Sequence, residues 1–136
     1  MKSRISFFLI VAMILMLIQI LLGISVREFV DNQIDILGLE KKDIWLEKPK
    51  LNFYVHRTFS LLVFLSNAYL FLLAKKSKIE MKFIRMINFL ILIEIIIGAC
   101  MYYFSFPILT QPIHLLISIL ILSLQFYWLL KLRKPY

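Results

Sequence analysis

The chain has 136 residues, of which 62% are hydrophobic, and a formal net charge of +8. A water-soluble domain of this length cannot bury so much apolar surface, because many of its residues lie on its surface, so the composition predicts a protein of the lipid bilayer. The basic residues form short clusters between apolar runs and no continuous stripe, which excludes nucleic acid as a partner, and the single cysteine, Cys100, excludes an intrachain disulfide.

Four apolar runs reach the roughly 20 residues that a helix needs to cross a bilayer. We predict spans at about 5–26, 53–74, 83–106 and 113–130, with an outer loop at 27–51. The first run is not typical of a cleaved signal peptide, because it is longer than a signal core and no small-x-small cleavage site follows it. We therefore expect one four-helix domain over residues 1–136, and a complete chain, since it begins with Met1 and ends in a basic tail.

The charges around the spans predict their orientation. Ten basic residues flank the spans on one side: Lys2, Arg4, Lys75, Lys76, Lys78, Lys82, Arg85, Lys131, Arg133 and Lys134. Glu80 is the only acid among them, whereas the 27–51 connection carries five basic and six acidic residues. Because cytoplasmic loops are enriched in Lys and Arg, we expect both termini in the cytoplasm of a cell whose inner (cytoplasmic) membrane holds the protein.

An internal repeat relates the two halves of the chain. The matching runs are Leu17-Ile18-Gln19-Ile20-Leu21-Leu22-Gly23 and Leu92-Ile93-Glu94-Ile95-Ile96-Ile97-Gly98. Each of these spans is followed by a span that begins with a histidine, His56 or His114. The pattern predicts two helical hairpins related by a pseudo-two-fold axis along the membrane normal. We interpret the glycines as positions where helix backbones approach closely.

The histidine pair is the strongest candidate site. The spans that carry His56 and His114 run in the same direction, so both imidazoles are expected at one depth, facing each other across the bundle. Two imidazoles from facing helices suit the axial ligation of haem iron. Two alternatives stay open: each histidine bonds to a neighbouring helix or a lipid headgroup, or the pair contributes to a zinc site, which would need further ligands.

Other polar residues of the spans have candidate roles. Arg57, next to His56, and Arg27, at the end of the first span, are candidates to pair with haem propionates, or else to reach lipid phosphates. Glu94 and Gln19 are expected to supply the only polar groups at mid-depth. We expect them to hydrogen-bond to each other, with proton transfer by Glu94 as the alternative.

Three segments resemble the haem A synthase family. Gly23-Ile24-Ser25-Val26-Arg27-Glu28 is similar to its Gly-x-x-Val-Arg signature, His56-Arg57 resembles its His-Arg motif, and Phe106-Pro107 followed by Gln111-Pro112-Ile113-His114-Leu115 resembles its second histidine region. The resemblance covers most of the chain in the right order. It implies that His56, His114, Arg57, Arg27 and Gln111 bind haem.

The family implies an oxidoreductase that converts a methyl group of haem O to the formyl group of haem A during cytochrome oxidase assembly. Its usual members have two four-helix halves, one for the substrate haem and one for a b-type haem cofactor, and this chain resembles one half. The substrate half has a glutamate three residues before its first histidine, where this chain has Phe53, and the outer loop lacks the cysteine pair of many members. These differences favour the cofactor half.

We therefore predict an all-α, four-helix membrane bundle that binds haem and acts as a homo-oligomer, or beside a partner half or other assembly proteins. Its predicted function is haem A synthesis or assistance to it. One alternative is a non-catalytic b-type cytochrome or haem carrier, and another is a structural membrane subunit without haem. A transporter is disfavoured by the few polar residues at mid-depth.

Overall fold

A computed structural model describes residues 2–133, so Lys134 of the basic tail lies outside the described part. The helices are α1 (Lys2–Leu37), a short 3-10 helix (Lys42–Ile44), α2 (Leu51–Lys76), α3 (Lys82–Tyr103) and α4 (Thr110–Arg133). The four α-helices are each long and apolar enough to cross a membrane, and residues 2–133 contain no strand. The predicted all-α class with four transmembrane helices is confirmed.

The four helices form a ring around one core. α1 packs against α2 and α4, and α3 packs against the same two helices, so α2 and α4 face each other across the bundle. The core contains Leu9, Leu70, Ile84 and Trp128, all almost fully buried. Many leucines and isoleucines on the outer faces are exposed, which a bilayer tolerates because its hydrocarbon is itself apolar.

The internal repeat extends into the core. Buried positions of α1 recur 75 positions later in α3, and buried positions of α2 recur 58 positions later in α4. The matched sets are Leu9, Ala12 and Met16 with Ile84, Ile87 and Ile91, and Val63, Asn67 and Leu70 with Ile121, Gln125 and Trp128. The same offsets relate Gly23 to Gly98 and His56 to His114. The two hairpins therefore present equivalent faces to the core.

Helix α1 continues well past the limit of the predicted span, to Leu37. It ends at Gly38, whose positive φ of 87° favours glycine and whose N–H donates to the Ile34 carbonyl at 2.8 Å. The connection that follows carries the buried Trp45, which donates from its indole N–H to the Gly38 carbonyl and packs its ring against Phe106 at 5.4 Å. This segment links the first connection to the third at the end of the bundle that carries both histidines.

A layer of buried amides crosses the opposite half of the bundle. Gln125 donates to the side-chain carbonyl of Asn67 at 3.0 Å, and both residues are fully buried. Asn88 donates to the backbone carbonyl of Asn67 at 3.2 Å. Asn67 and Gln125 lie close to the middle of α2 and α4, so the expectation that Gln19 and Glu94 alone supply the polar groups at mid-depth is wrong. The sequence analysis did not assign a role to Asn67, Asn88 and Gln125. Three amide side chains within apolar spans are nevertheless a signal for polar contacts between helices.

Candidate functional site

The two histidines meet across the core. His56 lies in the second turn of α2, and His114 lies in the second turn of α4, which is diagonally opposite. Their ring centroids are 6.5 Å apart, and the ring planes are inclined at 76°. His56 lies five residues after Leu51, the first residue of α2, and His114 lies four residues after Thr110, the first residue of α4, so the two side chains enter the core at similar distances from the helix ends.

A glycine of the preceding helix faces each imidazole. A Cβ atom at Gly23 would lie 3.2 Å from Cε1 of His56, and one at Gly98 would lie 3.4 Å from Cε1 of His114. From the sequence, we interpreted these glycines as positions where helix backbones approach each other closely. The structure shows that the absent side chains also leave room for imidazoles, with one glycine and one histidine in each hairpin.

The polar surroundings of the two imidazoles differ. Nδ1 of His56 is buried without a hydrogen-bond partner, and the backbone carbonyl of His56 accepts from the Gln19 amide at 3.2 Å. Nδ1 of His114 lies 3.3 Å from Oε1 of Glu94, and the Ser118 hydroxyl donates to that same carboxylate oxygen. The predicted hydrogen bond between Gln19 and Glu94 is wrong, because each of them contacts the histidine-bearing helix of its own hairpin.

The two arginines have different partners. Arg27 binds Asp31 through two nitrogens, at 2.6 and 3.0 Å, one helical turn along α1. The guanidinium of Arg57 lies 5.9 Å from the ring centroid of Tyr102, which also stacks on Phe53 at 5.4 Å. Of the two, Arg57 is the one without a carboxylate partner among the contacts of residues 2–133.

Gln111 is the remaining residue of the predicted set. It lies in the first turn of α4 and is half-buried, three residues before His114. Phe53 lies three residues before His56, so the two hairpins have equivalent positions here, and neither carries a carboxylate.

The histidine pair fits the axial ligation of haem. Within residues 2–133, no three His, Cys, Asp or Glu side chains cluster as a metal site would require. Haem needs at most two protein ligands, because its macrocycle supplies the other nitrogens. With metal–nitrogen bonds of about 2 Å, two imidazoles in line on one metal ion have centroids roughly 6 Å apart. The observed 6.5 Å is close to that separation.

Comparison with protein families identifies the family of the chain. A family model described as cytochrome oxidase assembly protein (COX15-CtaA) matches residues 1–126 of the 136. The chain belongs to this family. The suspected membership in the haem A synthase family is thereby confirmed, and cytochrome oxidase assembly is the role that the family implies. Searches of curated proteins and of solved structures gave no significant match.

The region that matches the cytochrome oxidase assembly family contains nearly the whole helical bundle. It includes α1, α2 and α3 whole and reaches Phe126 in α4. Both histidines, both facing glycines and all three residues of the amide layer fall inside it. The histidine site is therefore built from the part of the chain that carries the family's pattern.

Proposed function

We propose that this protein binds haem between His56 and His114 and acts in haem A synthesis, in the inner membrane and with both termini in the cytoplasm. The observation that carries the proposal is the pair of imidazoles on diagonal helices, 6.5 Å apart and each facing a glycine. Membership in the cytochrome oxidase assembly family supports it, since haem A belongs to that assembly.

In this proposal each imidazole would hold the haem iron through Nε2. The Nδ1 atoms are buried, one without a partner and one beside a carboxylate, which leaves Nε2 as the free nitrogen. Arg57 is the proposed partner of a haem carboxylate, because a guanidinium pairs well with carboxylate and no acid of the described chain occupies it. Arg27 is less suited, since Asp31 already binds it.

Bound haem supplies the redox chemistry by which, as the family resemblance implies, a methyl group of haem O becomes the formyl group of haem A. The chain's own contribution is to fix the ring plane with two imidazoles and to exclude water. We assign the second purpose to Trp45 and Phe106, because their rings pack together and join the first connection to the third at the end of the bundle that carries the histidines.

A second function is favoured by one observation, namely that Phe53 occupies the position of the family's substrate-side glutamate. Phe53 is buried and stacked on Tyr102, and Gln111 in the other hairpin is no acid either. The absence of a carboxylate at this position in either hairpin supports a b-type haem held as an electron-transfer cofactor. The catalytic half would then come from a second copy of the chain or from a partner subunit.

An optical spectrum of the detergent-purified protein, oxidised and reduced, tests the proposal. We expect a Soret band and sharp reduced bands that are lost in His56→Ala and in His114→Ala. Ser123→Ala is the matched control on α4, because Ser123 is exposed and its hydroxyl bonds only to Ile119 of its own helix. That variant should keep the full spectrum.

The extracted haem, identified by mass, separates the candidate functions. Haem O or haem A bound to the protein, with conversion of added haem O, supports the synthase. Haem b alone, without turnover, supports the electron-transfer protein. A protein that stays colourless after haem is added would contradict both and leave a structural membrane subunit.

A further inference from the structure

Glu94 of α3 is partly buried and lies at the site of one histidine only. Its carboxylate lies 3.3 Å from Nδ1 of His114, and the two side chains are only 12% and 22% exposed. The Ser118 hydroxyl, one turn after His114 on α4, donates to the same carboxylate oxygen and also lies 3.1 Å from the His114 carbonyl. These three residues form a connected group that joins α3 to α4.

The repeat supplies an internal comparison for this group. Gln19 is the counterpart of Glu94, and His56 is the counterpart of His114. Gln19 contacts the His56 backbone and leaves the imidazole Nδ1 without a partner. The two histidines are therefore equivalent in position, whereas only one of them has a carboxylate beside its ring.

We propose that Glu94 is a positioning residue that holds His114 with its proton on Nδ1 and directs Nε2 toward the metal. Histidines that bind metals usually donate their second ring N–H to a carboxylate or carbonyl, which fixes the tautomer and makes the ring a stronger ligand. The claim that His114 carries its proton on Nδ1 is based on the Glu94–His114 contact. The claim that Glu94 strengthens His114 as a metal ligand rests on the proposed haem site. The two histidines would thus be unequal ligands, with His114 the stronger donor.

The contact geometry agrees with this role. The 3.3 Å separation of Nδ1 and Oε1 is within ion-pair distance, although the atoms are not aligned as in a hydrogen bond. Such bonds are often long in ligand-free proteins and shorten when the ligand binds. Ser118 restrains the carboxylate from the neighbouring helix α4, by donating to the same oxygen that faces Nδ1 of His114.

The tautomer is tested first in the haem-free protein, by the ¹⁵N chemical shifts of the imidazoles. The two rings are assigned with the histidine-to-alanine variants. We expect His114 to carry its proton on Nδ1 in the wild type, and to become a mixture or change tautomer in Glu94→Leu. Gln19→Leu, at the matching position, should leave the His114 signals unchanged. Identical His114 signals in the wild type and in Glu94→Leu would overturn the proposal, whether or not haem binds.

The ligand role is tested by redox titration of the haem-loaded protein. Loss of a carboxylate beside a ligand destabilises the oxidised form, so the midpoint potential should rise from wild type to Glu94→Gln and further to Glu94→Leu. Haem retention should fall by about tenfold in Glu94→Leu. Ser118→Ala, a smaller change, should shift the potential in the same direction. A shift in this milder variant would show that the effect does not arise from misfolding of the Glu94 variants.

The outcomes separate this inference from the proposed function. Equal potentials and equal retention in the wild type and in all three variants would overturn the ligand role of Glu94 and leave the haem site intact. A wild-type protein that binds no haem would overturn the haem site and the ligand role together, while the ¹⁵N shifts would still decide the tautomer.

Discussion

At the residue scale, the site depends on two glycines as well as on the two histidines. Gly23 and Gly98 each lie against the imidazole of their own hairpin. The two contacts are not equally tight: 3.2 Å requires the neighbour to move by a few tenths of an ångström, whereas 3.4 Å is ordinary van der Waals contact. The two glycines therefore differ in how well they should tolerate a methyl group.

We predict that Gly23→Ala lowers haem binding more than Gly98→Ala. The added methyl at position 23 would displace the His56 ring by a few tenths of an ångström and so change its position relative to His114. Titration of the haem-free variants with haem, followed at the Soret band, measures the effect, and about a tenfold loss of affinity is expected for Gly23→Ala. Equal affinity in the two variants would show that His56 accommodates the methyl without changing the site.

At the scale of elements, each hairpin repeats one arrangement along its second helix. Asn67 lies 11 residues after His56, and Gln125 lies 11 residues after His114. Eleven residues are close to three helical turns, or about 16 Å, so histidine and amide share one face of each helix. Two polar layers therefore cross the bundle, one of imidazoles and one of amides, with apolar side chains between them.

We predict that Gln125→Leu destabilises the bundle by about 1 kcal/mol, because Asn67 then loses the donor to its side-chain carbonyl. Unfolding in mixed detergent micelles measures the difference. Ser123→Ala, two residues away on the exposed side of α4, is the control and should leave the stability unchanged. An unchanged free energy of unfolding in Gln125→Leu would mean that the amide layer determines which helix faces meet without adding to the stability of the bundle.

At the scale of the whole molecule, the charges separate along the bundle axis. Lys131 of α4 pairs with Glu80 at 3.3 Å, and Arg4 of α1 donates to Tyr69 of α2 at 3.4 Å. The basic residues of the chain ends and of the α2–α3 connection therefore share one end of the molecule. The histidines and the mixed charges of the first connection share the other end.

We predict that the basic end faces the cytoplasm, since Lys and Arg are retained on that side. A reporter that is active only outside the cytoplasm should be inactive when fused at the C-terminus and active when inserted in the connection around Glu40. A reporter that matures only in the cytoplasm should give the opposite pattern. Activity of the first reporter at the C-terminus would reverse the predicted orientation and place the haem site near the cytoplasmic surface.

The sequence by itself determined the number of helices and the family, and it identified His56 and His114 as the candidate site. Each of these depends on local quantities: the length of apolar runs, the spacing of motifs and the rarity of histidine in a span. The repeat was readable for the same reason, because Gln19-x-x-x-Gly23 and Glu94-x-x-x-Gly98 are polar interruptions of apolar runs.

Only the tertiary structure decided which side chains meet. In a span that is apolar on its lipid side and on its core side alike, periodicity does not reveal the inward face, so the rotation of each helix stays open. Packing fixes that rotation, and it brings Glu94 to His114 instead of Gln19, and Gln125 to Asn67. It also decided the length of α1, because the charged segment after residue 26 continues the helix until Gly38 ends it.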